Sequence, residues 1–213
     1  MGHPHGRDVA APRPVLTDTH CHISEAEFDL DRGEVLTRAR EAGVRRMIAI
    51  GGTPEMNARA RGLAARERGV YCTEGLDPAG IVGRAAGEIP DALSLPRPGI
   101  PSPLVALGEI GLDQHHRYTP LDHQREMFRA QLALAVERGL PVVIHSRETG
   151  SEMLEDYAAS GRPGGVWHSF GGTRDEAFRA LDLGLFISFS GMLTFKNAPA
   201  LREIAREVPT GCL

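Results

Sequence analysis

Lysine is almost missing from this sequence: Lys196 is the single one among 24 Lys and Arg residues, so arginine carries nearly all the positive charge. A basic excess is missing as well. The net charge is −4, which excludes a global field that would draw the chain onto nucleic acid, though not a nucleic-acid substrate held by a few local cations. Cysteine is scarce, and Cys21, Cys72 and Cys212 are odd in number and widely spaced. That excludes a disulfide framework and fits a reducing, cytoplasmic setting. No apolar run approaches the ~18–20 residues that a bilayer span requires, so no membrane partner is expected. Residues 1–14 lack the apolar segment of a secretory signal and read as a disordered lead, with His3 and His5 incidental in it.

What is present is an ordinary globular composition, 213 residues with 41% hydrophobic and 24% charged side chains, enough for one sizeable core. Short apolar runs alternate with helical patterns from residue 15 onward. Val15-Leu16 leads into Thr17-Asp18-Thr19-His20-Cys21-His22 and reads as a short buried strand. A helix over Asp31–Ala42 is followed by a strand at Arg46–Ile50; Thr53-Pro54 then caps a helix that Gly69 closes. Strands follow at Val70–Thr73 and Leu104–Leu107, with a weak helix from about Ala79 and a Pro-rich loop from Ser94 to Pro103 between them. Thr119-Pro120-Leu121-Asp122 resembles a capping box and starts the strongest helix, whose core stripe is Phe128, Leu132, Ala135 and Val136 and whose stop is Gly139. Strands at Val142–Ile144, Gly165–Trp167 and Leu185–Phe189 alternate with helices at Thr149–Ala159, Asp175–Leu183 and Pro199–Glu207. Seven strand–helix units in strict alternation mean an α/β fold with a parallel sheet, either barrel or doubly wound. No glycine-rich phosphate fingerprint opens the first helix, which disfavours the dinucleotide-binding option. Polar, titratable residues end strand after strand, as on the active face of a (β/α)8 barrel, and the barrel is the expected fold.

Those strand ends carry the chemistry. His20 and His22 lie two apart on the first strand and project to one side, with Cys21 facing the other way. Glu109 follows the fourth strand, His145 the fifth and His168 the sixth. In a barrel these ends converge at one rim. Four imidazoles and a carboxylate gathered there need a cation to organise them. A carboxylate set between two histidine groups can bridge two metals ~3.5–4 Å apart, which activates a water and steadies a leaving oxyanion. Metal-assisted hydrolysis is the expected reaction, and these ligands do not distinguish Zn²⁺, Mn²⁺, Fe²⁺, Ni²⁺ and Mg²⁺.

The stretches DTHCHI, GEIGLD, LPVVIHSR, WHSF and FISFSGMLTFKNAP occur in that order over roughly residues 15 to 210 and resemble the TatD family of metal-dependent DNases. The resemblance implies a TIM barrel that hydrolyses phosphodiester bonds, often as a 3′→5′ exonuclease on single-stranded DNA or 3′ ends. It implies two divalent metals, with His20 and His22 on the first, Glu109 bridging, and His145 and His168 on the second. Arg147 would contact a substrate phosphate or form a surface salt bridge; Asp113 would orient a ligand or serve as a turn residue; Lys196 and the strand end Ser188–Gly191 would line the site. The same bimetallic chemistry would serve another ester or amide, such as an aminoacyl-tRNA.

Two departures from the family pattern stand out. Asp77, in Gly75-Leu76-Asp77-Pro78, occupies the place of a histidine that could donate to phosphate; His115 and His116 are loop histidines that could compensate, while His123 is expected on an exposed helix face. The final ligand of the family, an aspartate on an eighth strand, lies past the end of this sequence. The expectation is therefore a barrel with seven βα units, either a fragment of a complete enzyme or a catalytically impaired homologue.

Overall fold

The computed structural model describes residues 15–96 and 99–213. The lead at residues 1–14, with His3 and His5, lies outside the described residues. Seven strands form one all-parallel sheet in sequential order: β1 (Leu16–Cys21), β2 (Val44–Ala49), β3 (Val70–Glu74), β4 (Leu104–Asp113), β5 (Val142–Arg147), β6 (Gly165–Trp167) and β7 (Leu185–Ile187). Helices α1 (Arg32–Glu41), α2 (Pro54–Arg66), α3 (Ile89–Ala92), α4 (Leu121–Arg138), α5 (Gly150–Ala159), α6 (Arg174–Asp182) and α7 (Pro199–Glu207) occupy the connections. Adjacent parallel strands lie ~4.8 Å apart, so a flat sheet would hold the ends of β1 and β6 about 24 Å from each other. The ring centroids of His20, from β1, and His168, just after β6, are 4.0 Å apart. The sheet is rolled, and the architecture is the expected (β/α)8-type barrel with seven βα units.

Local sequence explains several element ends. Thr53 caps α2 through its hydroxyl, which accepts from the Met56 N–H, and Pro54 takes the first helical position. Gly139 ends α4 in the left-handed conformation at φ 64°. Thr173 and Glu176 form a reciprocal capping box on α6.

Several expectations are corrected. Thr119 provides no cap to α4; the N-cap is Pro120, and the Gln124 amide donates to the Thr119 carbonyl instead. Val136 is 45% exposed and does not belong to the core stripe, whereas Phe128, Leu132 and Ala135 are fully buried. His123 is half-buried rather than exposed. The weak helix from Ala79 is absent: that stretch is a run of turns, a 3₁₀ turn at Ala86–Glu88 and the four-residue α3. Strand β4 runs on for ten residues to Asp113 because the glycines in Gly108-Glu109-Ile110-Gly111 let it pack where a side chain could not. Gly111 sits at φ 147°, and a Cβ there would lie 1.9 Å from the His145 carbonyl oxygen. Strand β7 stops at Ile187, two residues short of the expected end. Strand β1 is not buried: Leu16 is 46% exposed, because among the described residues β1 pairs only with β2.

The larger apolar cluster lies where α4, α5 and α6 cover β4 to β7 and includes Leu107, Ile110, Phe128, Ile144, Tyr157 and Trp167. A smaller one under α1 and α2 holds Leu36, Met47, Ala60, Leu63 and Cys72. Buried Asp156 on α5 accepts from Arg125 at 2.8 and 2.9 Å and from Arg129 at 2.8 Å, which locks α5 to α4. Phe128→Ala should therefore lower unfolding free energy by about 3–5 kcal/mol, measured as a lower urea midpoint at unchanged slope.

Candidate metal centre

Glu109 is the hub. It sits inside β4 where Gly75 approaches so closely that a Cβ on that glycine would lie 2.7 Å from the Glu109 carbonyl oxygen. Its N–H donates to the Gly51 carbonyl oxygen at 2.9 Å, reaching past β3 to the end of β2. Its carboxylate meets three imidazoles: His168 Nε2 at 2.7 Å, His145 Nδ1 at 3.0 Å and His20 Nε2 at 3.6 Å. His20, Glu109 and His168 each offer a ligand atom within 4.8 Å of the others, a spacing that a single cation can span. Both ring nitrogens of His20 are buried without a hydrogen-bond partner. With the His20 nitrogens left without hydrogen-bond partners beside Glu109 and His168, the donor set fits a metal.

The electrostatics agree. Burial pushes the Glu109 carboxyl up, but the hydrogen bonds from His145 and His168 outweigh it and hold the group well below the usual carboxylate range. Burial, reinforced by His168, pushes His20 down to about 3, so its imidazole is neutral and free to ligate at ordinary pH. For His145, burial is overcome by the carboxylates of Glu109 and Asp113, and the net direction is upward. Positive charge is thus favoured at the carboxylate pair, and neutral nitrogen beside it.

Residues 17–213 match the family described as TatD related DNase. The chain belongs to that family. A metal-dependent hydrolase of Bacillus subtilis, YabD, is 32% identical over 197 residues, covering 92% of this chain and 76% of the relative. A 3′-5′ ssDNA/RNA exonuclease TatD of Klebsiella pneumoniae is 32% identical over 198 residues, covering 91% of this chain and 74% of the relative. The crystal structure of the TatD homologue YjjV from Escherichia coli superposes with a TM-score of 0.83 at 31% identity, covering 93% of this chain and 76% of that one. This TatD-family chain is a metal-dependent hydrolase.

The remaining expected residues of the TatD site fall into distinct places. His22 lies beyond the end of β1, its ring 5.3 Å from that of His20, with Nδ1 3.8 Å from Glu25 Oε1. Its loop is fastened by Arg32, which donates to the carbonyls of Ile23 and Glu25, and by Arg59, which donates to that of Ser24. Asp113 is buried at the end of β4 and joins two histidines: His145 Nε2 at 3.2 Å and His116 Nδ1 at 2.7 Å. His116 is thus one carboxylate away from His145, a link the spacing Asp-x-x-His could have suggested. His115 is instead drawn to Glu148 at 3.1 Å on the exposed rim. Asp77 turns one oxygen back onto its own loop, accepting from the N–H groups of Ala79 and Gly80 at 2.9 and 2.7 Å, which gives it a structural duty the family histidine would not have. Arg147 ends β5, is exposed and forms no ion pair among the described residues, so the salt-bridge alternative fails. It lines a cleft of about 890 Å³ that also touches His145 and His168. Lys196 is exposed and follows Phe195 in sequence, and it is not among the residues that line the cleft.

His20→Ala or Glu109→Ala should abolish turnover and leave the far-ultraviolet circular dichroism unchanged; turnover near the parent level in either would remove the centre. Asp113→Ala should weaken divalent-metal affinity about 10–100-fold in calorimetry, by freeing His145 to rotate.

Proposed function

We propose that this chain hydrolyses phosphodiester bonds of single-stranded DNA from the 3′ end, using two divalent metal ions. The observation that carries the proposal is the convergence of His20, His145 and His168 on the one carboxylate of Glu109, with both nitrogens of His20 unpartnered. Support for the substrate comes from relatives named 3′-5′ ssDNA/RNA exonuclease, including one from Musicola paradisiaca at 34% identity. His20, His22 and Glu109 would hold the first ion, and Glu109, His145 and His168 the second. When bound, such ions supply Lewis acidity toward the phosphate and an activated water.

The residues of the chain do the rest. Glu109, kept ionised by its imidazole neighbours, holds negative charge at the centre and sets where the histidines point. Asp113 orients His145 and fixes His116 with Nδ1 engaged, so His116 presents Nε2 outward. Arg147 brings an uncommitted guanidinium to the cleft, suited to a bidentate grip on phosphate oxygens. Lys196 follows Phe195 in sequence and is exposed. Three free cysteines are consistent with a reducing, cytoplasmic setting.

The test is a 5′-labelled single-stranded oligonucleotide incubated with the 213-residue chain before and after chelation. A ladder of shortened products that vanishes with chelator and returns with Mg²⁺ or Mn²⁺ is expected. Intact DNA alongside metal-dependent release of amino acid from an aminoacyl-tRNA would transfer the chemistry to a different ester. Arg147→Ala should raise KM for the oligonucleotide about 10-fold or more while leaving metal content unchanged.

A further inference from the structure

Beyond the catalytic centre, the cleft has an apolar end. Its volume of about 890 Å³ is within the ~300–1,000 Å³ typical of small-molecule sites and ample for a nucleotide. His145 and His168 belong to its lining, so the cleft is continuous with the metal centre, and Met192 and Phe195 line it too. Phe195 is 56% exposed. A lone exposed phenylalanine on an open surface would mean little. This one borders the cavity that holds the hydrolytic histidines, and its backbone is held rigid. Arg202 on α7 donates from one guanidinium nitrogen to the carbonyls of both Leu193 and Phe195, at 2.9 and 2.7 Å. The Phe195 N–H donates to the Met192 carbonyl at 3.1 Å, and the Thr194 hydroxyl to the Gly191 carbonyl at 2.6 Å. Met192 Cε lies 3.5 Å from where a Gly171 Cβ would be, so the methionine rests on the glycine loop that follows His168.

An exposed aromatic side chain on a hydrogen-bonded backbone, next in sequence to a lysine and lining a cleft that also carries an arginine, has the composition of a single-strand stacking site. The acidic residues of the lining do not prevent this. Glu176 is turned into the α6 capping box, Glu148 is engaged by His115, and Glu152 remains to set a limit on how much anionic backbone enters.

Resting on the nuclease reading above, we propose that Phe195 is the platform on which the base of a nucleotide flanking the scissile phosphate stacks, and so favours a nucleic-acid strand with unpaired bases. Phe195 is a specificity-determining residue in this assignment and takes no part in bond breaking. Because its side chain is more than half exposed, replacing it does not threaten the fold.

The experiment pairs Phe195→Ala with removal of the base. The 213-residue protein and its variant are assayed on single-stranded oligonucleotides that are complete, or abasic at one or the other nucleotide flanking the scissile bond. Phe195→Ala should lower kcat/KM about 5- to 100-fold on the complete strand, mostly through KM, and have little further effect on the strand abasic at the stacked position. Phe195→Trp should retain parent KM. Equal losses on complete and both abasic strands would overturn the platform. A separate arm uses metal-free protein and a strand carrying 2-aminopurine at each flanking position. Quenching on binding to the parent, absent with Phe195→Ala, supports stacking without any turnover. No quenching in either overturns it. Failure of the nuclease reading is seen differently, as no metal-dependent cleavage of any strand by the parent protein.

Discussion

The ends of β1 and β6 stand five strands apart in the sheet order, yet their histidine rings stack at 4.0 Å, and this is possible only because one parallel sheet is rolled. The roll is produced inside the barrel by backbone approaching backbone. Gly75 against Glu109 and Gly111 against His145 leave no room for a Cβ, so the strands close on each other where larger residues would splay them. Glu109 is consequently pushed to the centre, and imidazoles from three strand ends reach one carboxylate. If the curvature were lost, those imidazoles would be separated solvent-facing side chains.

Once assembled, the group has the charge balance of a donor set that a cation could occupy. Burial pushes Glu109 toward its protonated form, and the hydrogen bonds from the histidines at 2.7 and 3.0 Å outweigh it. Burial keeps His20 neutral, and nothing among the described residues accepts from or donates to its ring. Partial satisfaction of this kind is costly in a core, and a bound cation relieves it by taking the lone pairs that are left. The surrounding protein is arranged to hold this geometry. Arg32 and Arg59 fasten the loop of His22, Asp113 fastens His145, and the core under α4 to α6 supports β4 to β7.

The same face divides its labour between rigid and open parts. Glu109 and His145 lie within strands, His20 is at the end of β1 and His168 just after β6, and the group is largely buried, whereas Arg147 and Phe195 line the adjoining cleft and are exposed. In the reading proposed above, the buried donor set would carry the chemistry and the exposed rim would set the choice of substrate. Asp77 illustrates the boundary: the position where the family pattern has a histidine is used here to tie down a turn, and the neighbouring rim histidine, His116, is held by Asp113 instead.

By itself the sequence determined the alternation of strands and helices, because period-2 and period-3.6 apolar patterns and the caps at Thr53 and Gly139 are local properties. It also singled out His20, His22, Glu109, His145 and His168 as the candidate set, although Glu109 and His145 lie inside β4 and β5 rather than past their ends. It misplaced what depends on neighbours. The burial of β1 and of Val136 turned on what packs beside them, and the length of β4 on close approach of His145, while Pro120 rather than Thr119 took the N-cap position and left the Thr119 hydroxyl buried without a partner. Tertiary structure alone decided that His20, Glu109 and His168 form the tight triad while His22 stands at its edge, that Asp113 couples His145 to His116, and that Phe195 shares a cleft with His145 and His168. Those facts are distances between residues far apart in sequence, and no local pattern encodes them until the sheet has closed.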